Sequence, residues 1–312
     1  MVPFVAETGS SEFPIWMTAL PEALAGIAEV KPFADLTAAE RLAAKVAIVA
    51  NPDPAEVAAL PGLVWVQSLW AGVERLAAEL PEDGPLIVRL TDPQMAETMS
   101  EAVLAWTLYL HRDMPRYASQ QRQRIWREHR LKTPAERTVA VLGLGKLGSA
   151  AARRLKANGF DVIGWSRSEK HLDGISCIHG IDGLRTVLGR ADISVLLMPL
   201  TAETRGMIGE RELAACKPDA AVINFARGPI LEEAALLAAL DDGRLSHAVL
   251  DVFSEEPLPE THPFWNHGKV TVLPHISAPT IPATASKLVA ENIGRYFADG
   301  TVPPGVDRTR GY

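Results

Sequence analysis

Apolar residues in this chain gather in short runs set apart by turn signals, and those runs alternate with stretches of helical spacing. Ala44 to Ala50 and Leu63 to Val66 read as buried strands, and Leu86 to Leu90 as a third. The turn Asn51-Pro52-Asp53-Pro54 closes the first, and helices are predicted over Pro14–Gly26 and Ala55–Leu60. Runs of this length, alternating with helices, predict parallel strands joined by crossovers. Met95, Met99, Ala102, Val103 and Trp106 then mark one face of a long helix over 95–111. A polar arm, 116–132, follows with Trp126 in its middle. Beyond it the runs resume at Thr138–Leu142, Asp161–Trp165, Ile193–Met198, Ala221–Asn224, Ala248–Val252 and Val270–Leu273, and a last helix is expected over Thr284–Ala298. The pattern predicts a doubly wound α/β domain over 99–284. It also predicts a smaller α/β domain made of 1–98 with 285–312.

The most informative turn lies after Thr138–Leu142. Gly143, Gly145 and Gly148 stand in G-x-G-x-x-G spacing between that strand and a helix, with a second strand following. Gly143 permits the tight turn, Gly145 lets a pyrophosphate approach the backbone, and Gly148 lets helix and strand pack closely. The helix start offers free N–H groups and a positive dipole end, to which Lys146 and Leu147 belong. The segment is therefore read as a dinucleotide site. In NAD-binding units an acidic residue ends the second strand and takes the ribose hydroxyls. Here Ser166, Arg167 and Ser168 occupy that place, so NADPH is expected over NADH, with NADH still a possible cofactor.

Composition narrows the alternatives. The chain has 312 residues, 47% of them hydrophobic, which is ample for two cored domains. A net charge of -7 with no basic run argues against a nucleic-acid partner. No stretch reaches the roughly 18 apolar residues of a membrane span, and the first ten residues do not read as a signal peptide. Two cysteines, Cys177 and Cys216, make no disulfide framework, so a reducing cytoplasm is expected. The histidines form no metal-ligand spacing, and His262 with His267 reads as loop support; no metal is expected. Ser166 does not sit in a G-x-S-x-G elbow, which excludes that type of serine hydrolase.

Polar residues at strand ends suggest the chemistry. Arg227 follows Ala221–Asn224, Asp251 and Glu256 follow Leu250, and His275 follows Leu273. In an open parallel sheet the carboxyl ends of the strands line the ligand crevice. An arginine can grip a carboxylate by a planar fork. A histidine passes protons near neutral pH, and a neighbouring carboxylate fixes its tautomer.

Five motifs together make the chain resemble the D-isomer-specific 2-hydroxyacid dehydrogenases, and within them the glyoxylate/hydroxypyruvate reductase A group. They are Gly143–Gly148, Pro199–Thr204, Asn224–Gly228, Asp251–Pro257 and Pro274–Ala278, with a similar tail at 306–312. The resemblance implies a Rossmann domain with a flavodoxin-like partner, and an active site in the cleft between them. It implies Arg227, Glu256 and His275 as catalytic residues. Pro199, Thr204, Ala226 and Asp251 are implied as cofactor contacts beside the glycine loop. Arg227 and His275, with Trp70, Ala71 and Gly72 in the loop 69–73, are implied as the substrate site. Trp70 stands where most relatives carry a small residue. A homodimer is implied as well. The implied reaction is NADPH-dependent reduction of glyoxylate or hydroxypyruvate. The rivals are a dehydrogenase of a larger D-2-hydroxyacid and a non-catalytic dinucleotide-sensing scaffold.

Overall fold

The computed structural model describes residues 1–308, which divide into two compact units, 1–94 with 280 onward and 95–279. The last four residues of the tail motif, 309–312, lie outside the described residues.

The first unit contains β1 (Val2–Ala6), α1 (Phe13–Ala23), β2 (Val30–Pro32), α2 (Ala38–Ala43), β3 (Val46–Ala50), α3 (Pro54–Ala58), β4 (Trp65–Ser68), α4 (Glu74–Glu79) and β5 (Leu86–Val88). Its five strands are all parallel in the order β2-β1-β3-β4-β5. This is the flavodoxin-like order. The sequence reading assigned no element to Val2–Ala6, yet this strand pairs with both β2 and β3. β3 is buried at every position, which is why its sequence is continuously apolar rather than alternating.

The second unit begins with α5 (Pro93–His111) and α6 (Met114–Gln123). It continues through β6 (Thr138–Leu142), α7 (Lys146–Ala157), β7 (Asp161–Ser166), β8 (Ser176–His179), α8 (Ile181–Arg190), β9 (Ile193–Leu196), α9 (Glu210–Ala215), β10 (Ala220–Asn224), α10 (Glu233–Asp241), β11 (Leu245–Leu250) and β12 (Val270–Val272). Seven parallel strands run β12-β11-β10-β9-β6-β7-β8. Six of them follow the Rossmann order, with the switch point between β6 and β9. α7 buries Gly148, Ala151, Ala152 and Leu155, a stripe at i, i+3, i+4 and i+7 laid on the sheet.

α11 (Pro282–Asp299) belongs to the first unit, where it packs on α1. Thr284 donates to Asp92, and Asn292 donates to the buried Gln67 at 2.9 Å. The chain divides a few residues earlier than the sequence suggested at both crossings. Met99, Val103 and Leu110 of α5 pack into the second unit's core, so this helix belongs there almost from its start. No described helix is long and apolar enough to cross a membrane.

Candidate active site

The glycine loop is shaped as its spacing requires. Gly143 has φ +105, and a Cβ there would lie 2.6 Å from the Met198 backbone nitrogen. A Cβ on Gly148 would lie 1.8 Å from the Gly143 carbonyl oxygen, so only glycine lets α7 start this close to β6. Gly145 differs: a Cβ on it would meet nothing within 4 Å. The backbone there faces open space, and Gly145 and Lys146 are exposed at the head of α7. The first-turn N–H groups of a helix have no intrahelical acceptor. A bare backbone, open space and a helix dipole fit the pyrophosphate of a dinucleotide.

At the end of β7, Ser166 is buried and its hydroxyl donates to the Ser168 carbonyl at 2.7 Å. Its role in this structure is to close the turn that presents Arg167 and Ser168 to solvent. Thr204 donates to the Pro199 carbonyl at 2.7 Å and accepts the Thr201 N–H at 2.8 Å, so Pro199 and Thr204 are tied into one turn beyond β9.

Three loops at the carboxyl ends of β10, β11 and β12 carry the polar cluster. Glu256 Oε2 meets His275 Nδ1 at 2.8 Å, and Glu256 Oε1 accepts the Phe253 N–H at 2.9 Å. Both carboxylate oxygens are thus engaged, and the imidazole is oriented with Nε2 left to act. The hydrogen bond to Glu256 raises the His275 pKa against the opposing effect of burial and of Arg227. Burial pushes the Glu256 carboxyl up, but His275 and the Phe253 N–H outweigh it, and its pKa is lowered. The His275 side chain keeps 52% of its surface accessible, so a substrate can reach it.

His275 has φ +55, in the left-handed region that few non-glycine residues adopt. Asp251 supports it. This carboxylate is buried, and its two oxygens accept the Ile276 N–H at 2.7 Å and the Ser277 N–H at 2.9 Å. Both oxygens thus hold the turn that carries the histidine.

Arg227 stands in extended backbone after β10 and donates to the Ala226 carbonyl at 2.8 Å. Its charge favours ionised Glu256 and opposes protonation of His275, which places it beside the pair. Two residues without an assigned role in the sequence reading position it. Asn224, fully buried, accepts the Ala226 N–H and donates to the Arg227 carbonyl, both at 3.1 Å. Gly228 lies against the next loop, and a Cβ on it would sit 2.0 Å from the Phe253 carbonyl carbon. The loops of Arg227 and Glu256 therefore touch backbone to backbone. The motif spacing contains both residues but not this contact.

Trp70, Ala71 and Gly72 belong to the first unit. Trp70 packs edge-on against Trp16 at 6.1 Å, and its backbone N–H is taken by Ser68 Oγ at 3.0 Å. The N–H groups of Ala71 and Gly72 donate to no group among the described residues. Elsewhere, His262 Nδ1 accepts the Phe264 N–H and His267 Nδ1 accepts the Lys269 N–H, so both histidines support their loop. Burial pushes the Cys216 thiol up to about 11, which makes it an inert core residue.

Known proteins resemble this chain in sequence and fold. Residues 104–277 match the family model described as D-isomer specific 2-hydroxyacid dehydrogenase, NAD binding domain. A glyoxylate/hydroxypyruvate reductase A of Serratia proteamaculans is 38% identical over 301 residues, covering 93% of this chain and 96% of the relative. Among solved structures, a D-isomer specific 2-hydroxyacid dehydrogenase from Xanthobacter autotrophicus Py2, in complex with NADPH and MES, is 39% identical with a TM-score of 0.91. The match covers 100% of this chain and 99% of that one. An NADPH-dependent glyoxylate/hydroxypyruvate reductase from Sinorhizobium meliloti, in complex with NADP and sulfate, is 32% identical with a TM-score of 0.90, and the match covers 100% of both chains. With the glycine loop, the strand order and the paired Glu256 and His275 in place, the chain belongs to the D-isomer-specific 2-hydroxyacid dehydrogenase family.

Proposed function

We propose that this protein reduces small 2-keto acids, glyoxylate and hydroxypyruvate, to 2-hydroxy acids with NADPH. The observation that carries the reading is the hydrogen-bonded Glu256 and His275 beside Arg227, on the same sheet edge as the open helix terminus at Gly145. The names of the relatives above support the substrate class and the cofactor.

When bound, the nicotinamide supplies a hydride to the keto carbon. The chain supplies the rest. His275, as imidazolium, donates the proton on Nε2 to the keto oxygen, while Nδ1 stays bonded to Glu256. Arg227 holds the substrate carboxylate through its planar fork and polarises the carbonyl. The family resemblance of loop 69–73 supports the Ala71 and Gly72 N–H groups as substrate contacts. Arg167 and Ser168 read the 2′-phosphate in place of the missing strand-end acid. Charge makes no case for a nucleic-acid partner, and the free thiols suit a reducing cytoplasm. The exposed side chains of Ile125, Trp126 and Leu131 along the arm after α6 suit a homodimer contact; Trp126 is 97% exposed in the single chain.

The test is NADPH oxidation followed by absorbance over a panel of 2-keto acids, repeated with NADH. Glyoxylate or hydroxypyruvate should lead the panel, and His275→Gln should lower kcat by roughly 10²–10⁴-fold. Near-normal turnover by that variant removes His275 from the reaction. No turnover of any keto acid by the wild type refutes the reading.

A further inference from the structure

The turn after β9 aims a carboxylate at the residue assigned to the cofactor's 2′ position. Besides the Thr204 bonds described above, Thr201 Oγ1 accepts the Thr204 N–H at 3.2 Å and the Thr201 carbonyl accepts the Arg205 N–H at 3.0 Å. The turn that carries Glu203 is thus closed on itself. Glu203 Oε2 accepts from Arg167 Nη1 at 3.1 Å, across 36 residues of sequence.

We infer that Glu203 competes with the 2′-phosphate for Arg167, and so limits how strongly this protein prefers NADPH to NADH. The inference rests on the assignment of Arg167 as the 2′ reader.

A carboxylate and a phosphate monoester are both acceptors for a guanidinium, and Glu203 already draws a hydrogen bond from Nη1. A 2′-phosphate on Arg167 also brings its negative charge within a few ångströms of Glu203, which is repulsive unless the carboxylate swings away. With NADH no such displacement is needed, and the Glu203 pair persists. β7 ends without the acid that NAD-binding units carry, yet Glu203 reaches the same guanidinium from a different loop. The chain thereby retains a carboxylate near the 2′ position from a source that motif reading overlooks. Arg167 and Glu203 are 49% and 65% exposed, so the competition takes place in water and is modest. An exposed pair of this kind corresponds to about two- to fivefold in binding.

The experiment is calorimetric titration of the full chain with 2′,5′-ADP and with ADP, two fragments that differ by the 2′-phosphate. Wild type, Glu203→Gln, Arg167→Ala and the double variant are compared, with thermal melts to confirm folding. Glu203→Gln should bind 2′,5′-ADP about two- to fivefold more tightly and ADP unchanged, and the gain should vanish in the Arg167→Ala background. Arg167→Ala alone should weaken 2′,5′-ADP by about tenfold. If Arg167→Ala weakens 2′,5′-ADP while Glu203→Gln leaves it unchanged or weaker, the competition is refuted and the Arg167 assignment stands. If Arg167→Ala leaves 2′,5′-ADP unchanged, the assignment falls and the inference falls with it.

Discussion

Replacing Gly228 by alanine should disable the site while sparing cofactor binding. The added Cβ would lie 2.0 Å from the Phe253 carbonyl carbon, 2.2 Å from its oxygen and 2.5 Å from the Ser254 nitrogen. Ordinary van der Waals contact begins near 3.4 Å, so the two loops must part by about 1.4 Å, and backbone atoms on both sides leave no flexible side chain to absorb it. One loop carries Arg227. The other carries the Phe253 N–H that holds Glu256 against His275. A misplacement of about 1 Å can cost about 10²-fold in rate, or about 2.7 kcal/mol of barrier. The overpacking itself should lower stability by about 1–3 kcal/mol, visible as a drop in Tm. Single-turnover stopped-flow oxidation of bound NADPH by glyoxylate measures the rate directly. NADPH titration should stay within about twofold of wild type, because the glycine loop follows β6, which β9 separates from β10 in the sheet. A folded Gly228→Ala protein with a rate within threefold of wild type would refute the claim that this backbone contact sets the geometry of the site.

Four further outcomes are expected. Because Glu256 raises the His275 pKa and reduction needs the imidazolium, keto-acid reduction should fall as pH rises through that raised pKa; in Glu256→Gln the midpoint should move to lower pH, and superimposable pH profiles would break the pairing. Arg227→Lys should raise KM and lower kcat at least tenfold on glyoxylate, since an ammonium lacks the fork; kinetics within twofold of wild type would contradict the assignment. Gly145→Ala should fold with an unchanged Tm, because its Cβ meets nothing within 4 Å, yet bind NADPH more weakly; unchanged affinity would mean the phosphates do not pass there. Burial, and next the charge of His267, hold the His247 pKa down from 6.5 to about 4, so the unfolded chain takes up a proton that the folded chain refuses; urea melts should show stability falling by about 3 kcal/mol between those two pH values, and His247→Gln should remove most of that slope.

Much of this was readable in the residues because it is encoded locally. The run Thr138–Leu142 and the three glycines after it specify strand, turn and helix within one short stretch, and they do so in the structure. Arg227, Glu256 and His275 could be placed at strand ends because parallel order fixes which end faces the ligand. Long-range contacts left no such trace. Nothing in the spacing announces that Gly228 abuts Phe253, or that Asp251 reaches 25 residues along the chain to pin the turn of His275. Val2–Ala6 escaped because five residues interrupted by Pro3 give too short a signal; its identity as a strand comes from its neighbours β2 and β3. The apolar runs also overshot their strands at Leu86–Leu90 and Ile193–Met198, where burial continues past the last strand residue.

The split first unit has a consequence for synthesis. Domains generally fold as they emerge, the N-terminal one first. Here residues 1–94 leave the ribosome without α11, which comes after about 185 intervening residues. At roughly 5–20 residues per second that delay is about 10–40 s. Throughout it, α1 lacks the helix it packs on, Gln67 and Asp92 lack Asn292 and Thr284, and Ile87 lacks the N–H of Val306. The later-made unit, continuous in sequence, is free to close first. A released chain truncated after residue 279 should therefore carry a protease-resistant nucleotide-binding unit joined to a protease-sensitive N-terminal segment. The early segment, with apolar surface waiting for its last helix, is where this protein should depend most on chaperones.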